Sequence, residues 1–127
     1  MAVQQLGAAP SGAADTATRG YVDALRPKRV LSLSNMTSVS VSCDSYDMVV
    51  DTGITGAITL NNPTGTPAEG FTLWYALTGT AARAITYGTA FEDSTQVRPT
   101  TTVTTARLDI GFVWNAATSK WRCVAVA

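Results

Sequence analysis

From Lys28 onward, apolar residues return at every second position in a succession of short segments divided by turn-forming residues. That period sends alternate side chains to opposite faces of an extended chain, so it restricts these segments to half-buried sheet. The clearest case is Arg107-Leu-Asp-Ile-Gly-Phe-Val-Trp114 followed by Asn115-Ala-Ala-Thr-Ser119 and Lys120-Trp-Arg-Cys-Val-Ala-Val126, which predicts a hairpin. Phe71-Thr-Leu-Trp-Tyr-Ala-Leu77 is the longest apolar run and predicts a central strand, with Arg83–Tyr87 pairing back after Gly79. Further strands are expected at Val30–Leu33, Ser38–Ser42, Tyr46–Val50 and Ala57–Leu60. Asn61-Asn-Pro-Thr-Gly65 reads as a turn. Residues 89–106 read as loop, with an edge strand around Val103. Twenty threonines suit pleated, half-exposed surfaces. Together these features predict a mainly β domain over residues 28–127, an antiparallel β-sandwich or jelly roll.

The first 27 residues differ. Residues 1–14 are small and Gly/Ala/Pro-rich and read as an extended arm. Residues 16–25 predict a short helix, with Asp15 as its N-cap and Pro27 as its stop. Thr18, Tyr21, Val22 and Leu25 share one face. A helix this short is marginal alone in water, and Gly20 weakens it by about 1 kcal/mol relative to alanine. It is therefore expected to form by packing, either in a bundle of three around a symmetry axis or back on its own β-domain.

Composition removes several functions. Nine Lys+Arg balance nine Asp+Glu, and only 14% of residues are charged. Nucleic-acid binding, which needs a basic face to displace counterions, is not expected. A surface so poor in charge tends to associate, which self-assembly would answer. Histidine is absent, which removes the usual general base and the commonest metal ligand. Cys43 and Cys123 have no CxxC spacing, so they read as two buried thiols or one long-range disulfide. Met1-Ala-Val-Gln-Gln-Leu6 has neither the basic start nor the apolar run of a signal peptide. No stretch approaches the roughly 20 apolar residues of a membrane helix, and no membrane insertion is expected.

The block Asp15-Thr-Ala-Thr-Arg-Gly-Tyr-Val-Asp23, after Leu6-Gly-Ala-Ala-Pro10, resembles a linker of tail-fibre and minor-tail proteins of tailed bacteriophages. Thr18, Arg19, Tyr21, Val22 and Asp23 match it, and Gly20 stands where that linker more often has alanine. Ala57-Ile-Thr-Leu-Asn-Asn-Pro-Thr-Gly-Thr-Pro67, Thr86-Tyr-Gly-Thr-Ala-Phe91 and Trp114–Ala127 resemble segments of the small β-domains of phage fibre and virion proteins. The resemblance implies a homotrimer that is a structural part of the virion. It would be made in the bacterial host cytoplasm, would be no enzyme and would need no cofactor. Its partners would be copies of itself and other virion proteins, either tail proteins or the major capsid protein. A minor-tail or fibre position follows from the linker. A capsid-decoration position follows if the chain is complete at 127 residues. Leu6, Thr18, Arg19, Tyr21, Val22 and Leu25 are the expected anchoring and trimerisation residues.

Other candidate sites carry weaker chemistry. Asp44, Asp47 and Asp51 form an acidic cluster without EF-hand spacing and read as loop and strand edge, not a metal site. Glu92 and Asp93 are adjacent, so on a strand they face opposite ways and make a poor acid/base pair. Glu69 reads as a turn residue. Trp74, Tyr75 and Tyr87 are candidates for contact with a host-surface glycan, against a role in the core or a trimer contact. Trp114 and Trp121 flank one hairpin and are expected to pair across it. Arg19, Arg26, Lys28 and Arg29 read as a basic patch for docking on an acidic virion surface or for capping the helix.

Overall fold

A strand that alternates apolar and polar residues buries one face only, so it needs a second layer to cover that face. In a computed structural model of the chain, residues 29–127 are described, and two sheets cover each other. The strands are β1 (Val30–Ser34), β2 (Ser38–Val39), β3 (Met48–Ile54), β4 (Ile58–Leu60), β5 (Thr72–Gly79), β6 (Ile85–Tyr87), β7 (Phe91–Glu92), β8 (Leu108–Asn115) and β9 (Lys120–Val126). The larger sheet has the order β1-β3-β5-β8-β9-β7 and the smaller the order β2-β4-β6. The domain is mainly β, as the alternation predicts.

The pairing corrects the antiparallel expectation. The chain passes from one sheet to the other and back, laying β1, β3 and β5 side by side in parallel and β2, β4 and β6 likewise. Each strand of one sheet serves as part of the crossover between parallel neighbours in the other. This winding supplies the long connection that parallel pairing requires without a helix. Only β5–β8 and β8–β9 are antiparallel among the paired strands, and β7 joins β9 in parallel. Arg83–Tyr87 therefore does not pair back on the central strand. Its ordered part, β6, adds to β4 instead. Val103 makes one isolated bridge, to Ala106, and the short strand in this region is β7. The predicted hairpin is present: Trp114 lies opposite Trp121, with ring centroids 5.3 Å apart in an edge-on arrangement.

Val39, Val49, Ile54, Ile58, Leu60, Leu73, Leu77 and Ile110 fill the space between the sheets. At one end an aromatic cluster closes it. The Phe112 ring lies 4.9 Å from Phe91 and 5.9 Å from Tyr75, and Tyr87 lies 5.6 Å from Phe91. Cys43 and Cys123 are both buried and unbonded, which settles the thiol reading. The turn at residues 61–65 is held by Gly65, whose φ of 109° favours glycine, and by Asp44, which accepts from the Thr66 N–H at 3.1 Å.

Period two also places Asp51 on the inward face of β3, with Val49, and it is fully buried. The expectation of a solvated strand edge does not hold for this residue. One carboxylate oxygen accepts from the Met36 N–H at 3.2 Å, and the other has no partner among the described residues. Burial raises the Asp51 carboxyl above its ordinary range, with partial opposition from the Met36 N–H. The folded protein thus keeps a proton on Asp51 at pH values where the unfolded chain has released it. Stability from this group is fully present below the unfolded value near pH 4 and declines as pH rises through the raised folded value. Asp93, held below its ordinary value by hydrogen bonds from Arg98, acts in the opposite sense at lower pH. Urea unfolding between pH 4 and pH 8 is expected to show the decline in the wild-type chain and a flatter profile in Asp51→Asn. An identical decline in the variant would assign it to another group.

Candidate functional site

The two sheets present different outer faces. On the small sheet, Ser38, Thr59 and Thr86 stand side by side across the three strands, and all three are exposed. Asn61 extends this polar surface by donating to the hydroxyls of Ser38 at 2.9 Å and Ser40 at 3.1 Å. On the large sheet the corresponding row is Val30, Met48 and Trp74, with Gly111 next on β8. Val30 is 44% exposed, Trp74 37% and, beyond Gly111 on β9, Val124 47%. Val50 and Ala76 lie in the next row. An apolar strip therefore crosses the outer face of the large sheet, where a soluble surface would carry polar groups.

Trp74 lies flat because its cross-strand neighbour is glycine. A Cβ placed on Gly111 would stand 2.7 Å from the indole, so the six-membered ring occupies the space a side chain would fill. Aromatic cover of a strand glycine restores contacts that glycine cannot make itself. The exposed indole forms one wall of a groove of about 300 Å³ lined also by Asp47, Met48, Thr72, Arg107 and Asp109.

The charges around this groove are matched in pairs. Arg107 meets Asp109 at 2.8 Å. Arg29 meets Asp47 at 3.0 Å and also donates to the Asp44 carbonyl, tying the start of β1 to the loop before β3. Hydrogen bonding to Asp47 holds the Arg29 guanidinium above its ordinary value. On β9, Arg122 approaches Glu92 at 4.0 Å. Such part-exposed pairs add little stability, but they leave the face without strong local charge.

The candidates from the sequence separate sharply. Trp74 is on this face. Tyr75 is fully buried and points between the sheets, so it is corrected from a glycan contact to a core residue. Tyr87 packs in the aromatic cluster, donates its hydroxyl to the Pro99 carbonyl at 2.7 Å and carries the Arg98 guanidinium 5.0 Å above its ring. Its ring is committed to these contacts, not held out as a platform. Burial pushes both phenols well above the usual tyrosine range.

Asp44, Asp47 and Asp51 serve a turn, an ion pair and the core respectively. Among the described residues no three His, Cys, Asp or Glu side chains group as a metal site. Glu92 accepts from Asn115 and Thr118, both at 3.0 Å, and Glu69 accepts from the Ala116 N–H at 2.9 Å. Both therefore hold the β8–β9 turn. Leu6, Thr18, Arg19, Tyr21, Val22, Leu25, Arg26 and Lys28 lie outside the described residues.

No protein-family model matches this chain, and comparisons with curated proteins and with solved structures find no match.

Sequence reasoning missed the apolar strip itself. Val30, Met48, Val50 and Val124 look like ordinary strand residues until parallel register lines Val30 and Met48 up with Trp74. The Tyr75 hydroxyl has no partner among the described residues. Tyr75→Phe is therefore expected to unfold in urea at the wild-type midpoint or higher, with a gain of up to about 1 kcal/mol. A loss of stability would reveal a partner for that hydroxyl. Gly111→Ala is expected to lift the Trp74 ring from the sheet, increase acrylamide quenching of tryptophan fluorescence and cost no more than about 1 kcal/mol, since the ring is free to move outward.

Proposed function

We propose that this chain is a non-enzymatic structural component of a tailed-bacteriophage virion, a small homotrimeric surface protein. Residues 1–27 anchor it and promote trimer formation, and residues 28–127 are displayed outward. The observation that carries this reading is the linker-like block Thr18–Asp23 placed directly before a β-domain. Two features of the domain support it. Strand-to-strand winding with the crossovers built into the sheets makes a stiff body suited to display. The contrast between a hydroxyl-rich outer face and one crossed by an apolar strip suits a protein that works against copies of itself.

A minor-tail or fibre position is the primary reading, because such a linker is a fibre feature, and decoration of the capsid is the alternative. The partners are then the chain itself and a tail protein or the major capsid protein. Nucleic acid has no place in this reading, given the balanced charge.

Two experiments test it. Deletion of residues 1–27, or Leu25→Asp, is expected to abolish incorporation into particles while the β-domain still folds, and normal incorporation of the deletion would sink the proposal. Gold-labelled antibody against residues 28–127 on intact particles separates the positions. Label at the tail selects a tail or fibre protein, label over the head selects capsid decoration, and unlabelled particles reject the virion reading.

A further inference from the structure

We propose that the outer face of the large sheet is the surface on which copies of this chain pack against one another, with Trp74 at its centre. This deepens the trimer reading and rests on it.

Four observations point to a second copy as the occupant. The first is the contrast between the outer faces. Ser38, Thr59 and Thr86 form a row suited to water, whereas Val30, Met48 and Trp74 form a row suited to burial, in the same chain and with the same kind of parallel register. The second is the parallel run β1-β3-β5 itself. Parallel sheets are ordinarily covered on both faces, and on this outer face Val30, Trp74 and Val124 remain exposed among the described residues.

The third is charge. Asp47, Asp109 and Arg122 border the face, and each is matched within the chain by Arg29, Arg107 or Glu92. A face whose charges are matched internally does not repel a copy of itself. Apart from Lys120 at the hairpin end of β9, it offers no excess charge to an acidic or basic partner. The fourth is Trp74 itself. Its ring lies flat over Gly111 yet stays 37% exposed in the middle of the row, and tryptophan is enriched at the energetic centres of interfaces.

Size defines how the face works. Five strands about 4.8 Å apart, each spanning about seven residues at about 3.3 Å, present roughly 550 Å². A standard interface uses roughly 800 Å² per partner. The face therefore completes an assembly that residues 1–27 begin.

The test uses the full chain. Sedimentation velocity over a concentration series is run on the wild type, Trp74→Glu, Val124→Glu and Thr59→Glu, the last on the polar outer face. Thermal unfolding confirms that each variant is folded. Acrylamide quenching of the wild type is read in parallel, with Trp74→Phe isolating the Trp74 emission. The expected result is a trimer in which Trp74 is shielded, association weakened about tenfold or more by Trp74→Glu and Val124→Glu, and no change in Thr59→Glu.

A trimer in which Trp74 stays open to acrylamide overturns the inference and leaves the trimer reading standing, with the face free for an outside ligand such as a saccharide. Shielding of Trp74 in the dilute monomer overturns it by assigning the face to the chain's own residues before Arg29. A monomer at every concentration overturns both the inference and the trimer reading. If the glutamate variants fail to fold, the wild-type quenching result alone decides.

Discussion

The packing of Phe112 against Tyr75, edge-on, and against Phe91, tilted, is the contact on which the rest of the domain depends. Phe112 belongs to β8 and Tyr75 to β5, neighbours in the large sheet, while Tyr87 brings the end of β6 from the small sheet into the same cluster. Aromatic rings meeting at these distances bury large area in a fixed geometry. Here they lock the last strand of the parallel winding to the antiparallel hairpin that closes the domain. With this lock in place, register propagates outward from β5. Trp74 must face away from the core because Tyr75 faces into it, and Met48 and Val30 follow along the same row.

The outer surface is thus a consequence of the inner one. Side-chain period two allows no other arrangement once the inward residues are chosen. The polar row on the small sheet and the apolar row on the large sheet are the outward halves of strands whose inward halves are alike. What separates the two faces is the choice of residue at outward positions, where core packing imposes no demand. A valine, methionine and tryptophan at such positions therefore speak of what lies outside the domain. The buried Asp51 is the converse case, a polar residue where packing asks for an apolar one, and it makes stability depend on pH.

Much of the domain was legible in the residues. Alternation located β1, β3, β5 and β8–β9, and the Trp114–Trp121 pair could be placed from the hairpin alone. The turn at residues 61–65 followed from its Asn, Pro and Gly. Pairing direction was not legible, because parallel and antiparallel strands share the same period and differ only in where the chain goes between them. The antiparallel expectation therefore holds for the pairs β5–β8 and β8–β9 and fails for the pairs among β1 to β6, and the strand list itself missed β7 and placed an edge strand at Val103 that is only a bridge. Trp74, Tyr75 and Tyr87 were equivalent as aromatic residues, and only burial told the surface one from the two in the core.

By itself the sequence determined the strand-forming segments, the main turns, the balance of charge and the exclusion of histidine chemistry, because these depend on local period and residue type. Only the tertiary structure decided that the strands wind in parallel between two sheets, that Asp51 is buried and that Trp74 lies over Gly111 in an apolar row. Those properties belong to pairs of residues far apart in the chain. They exist only when register brings the pairs together.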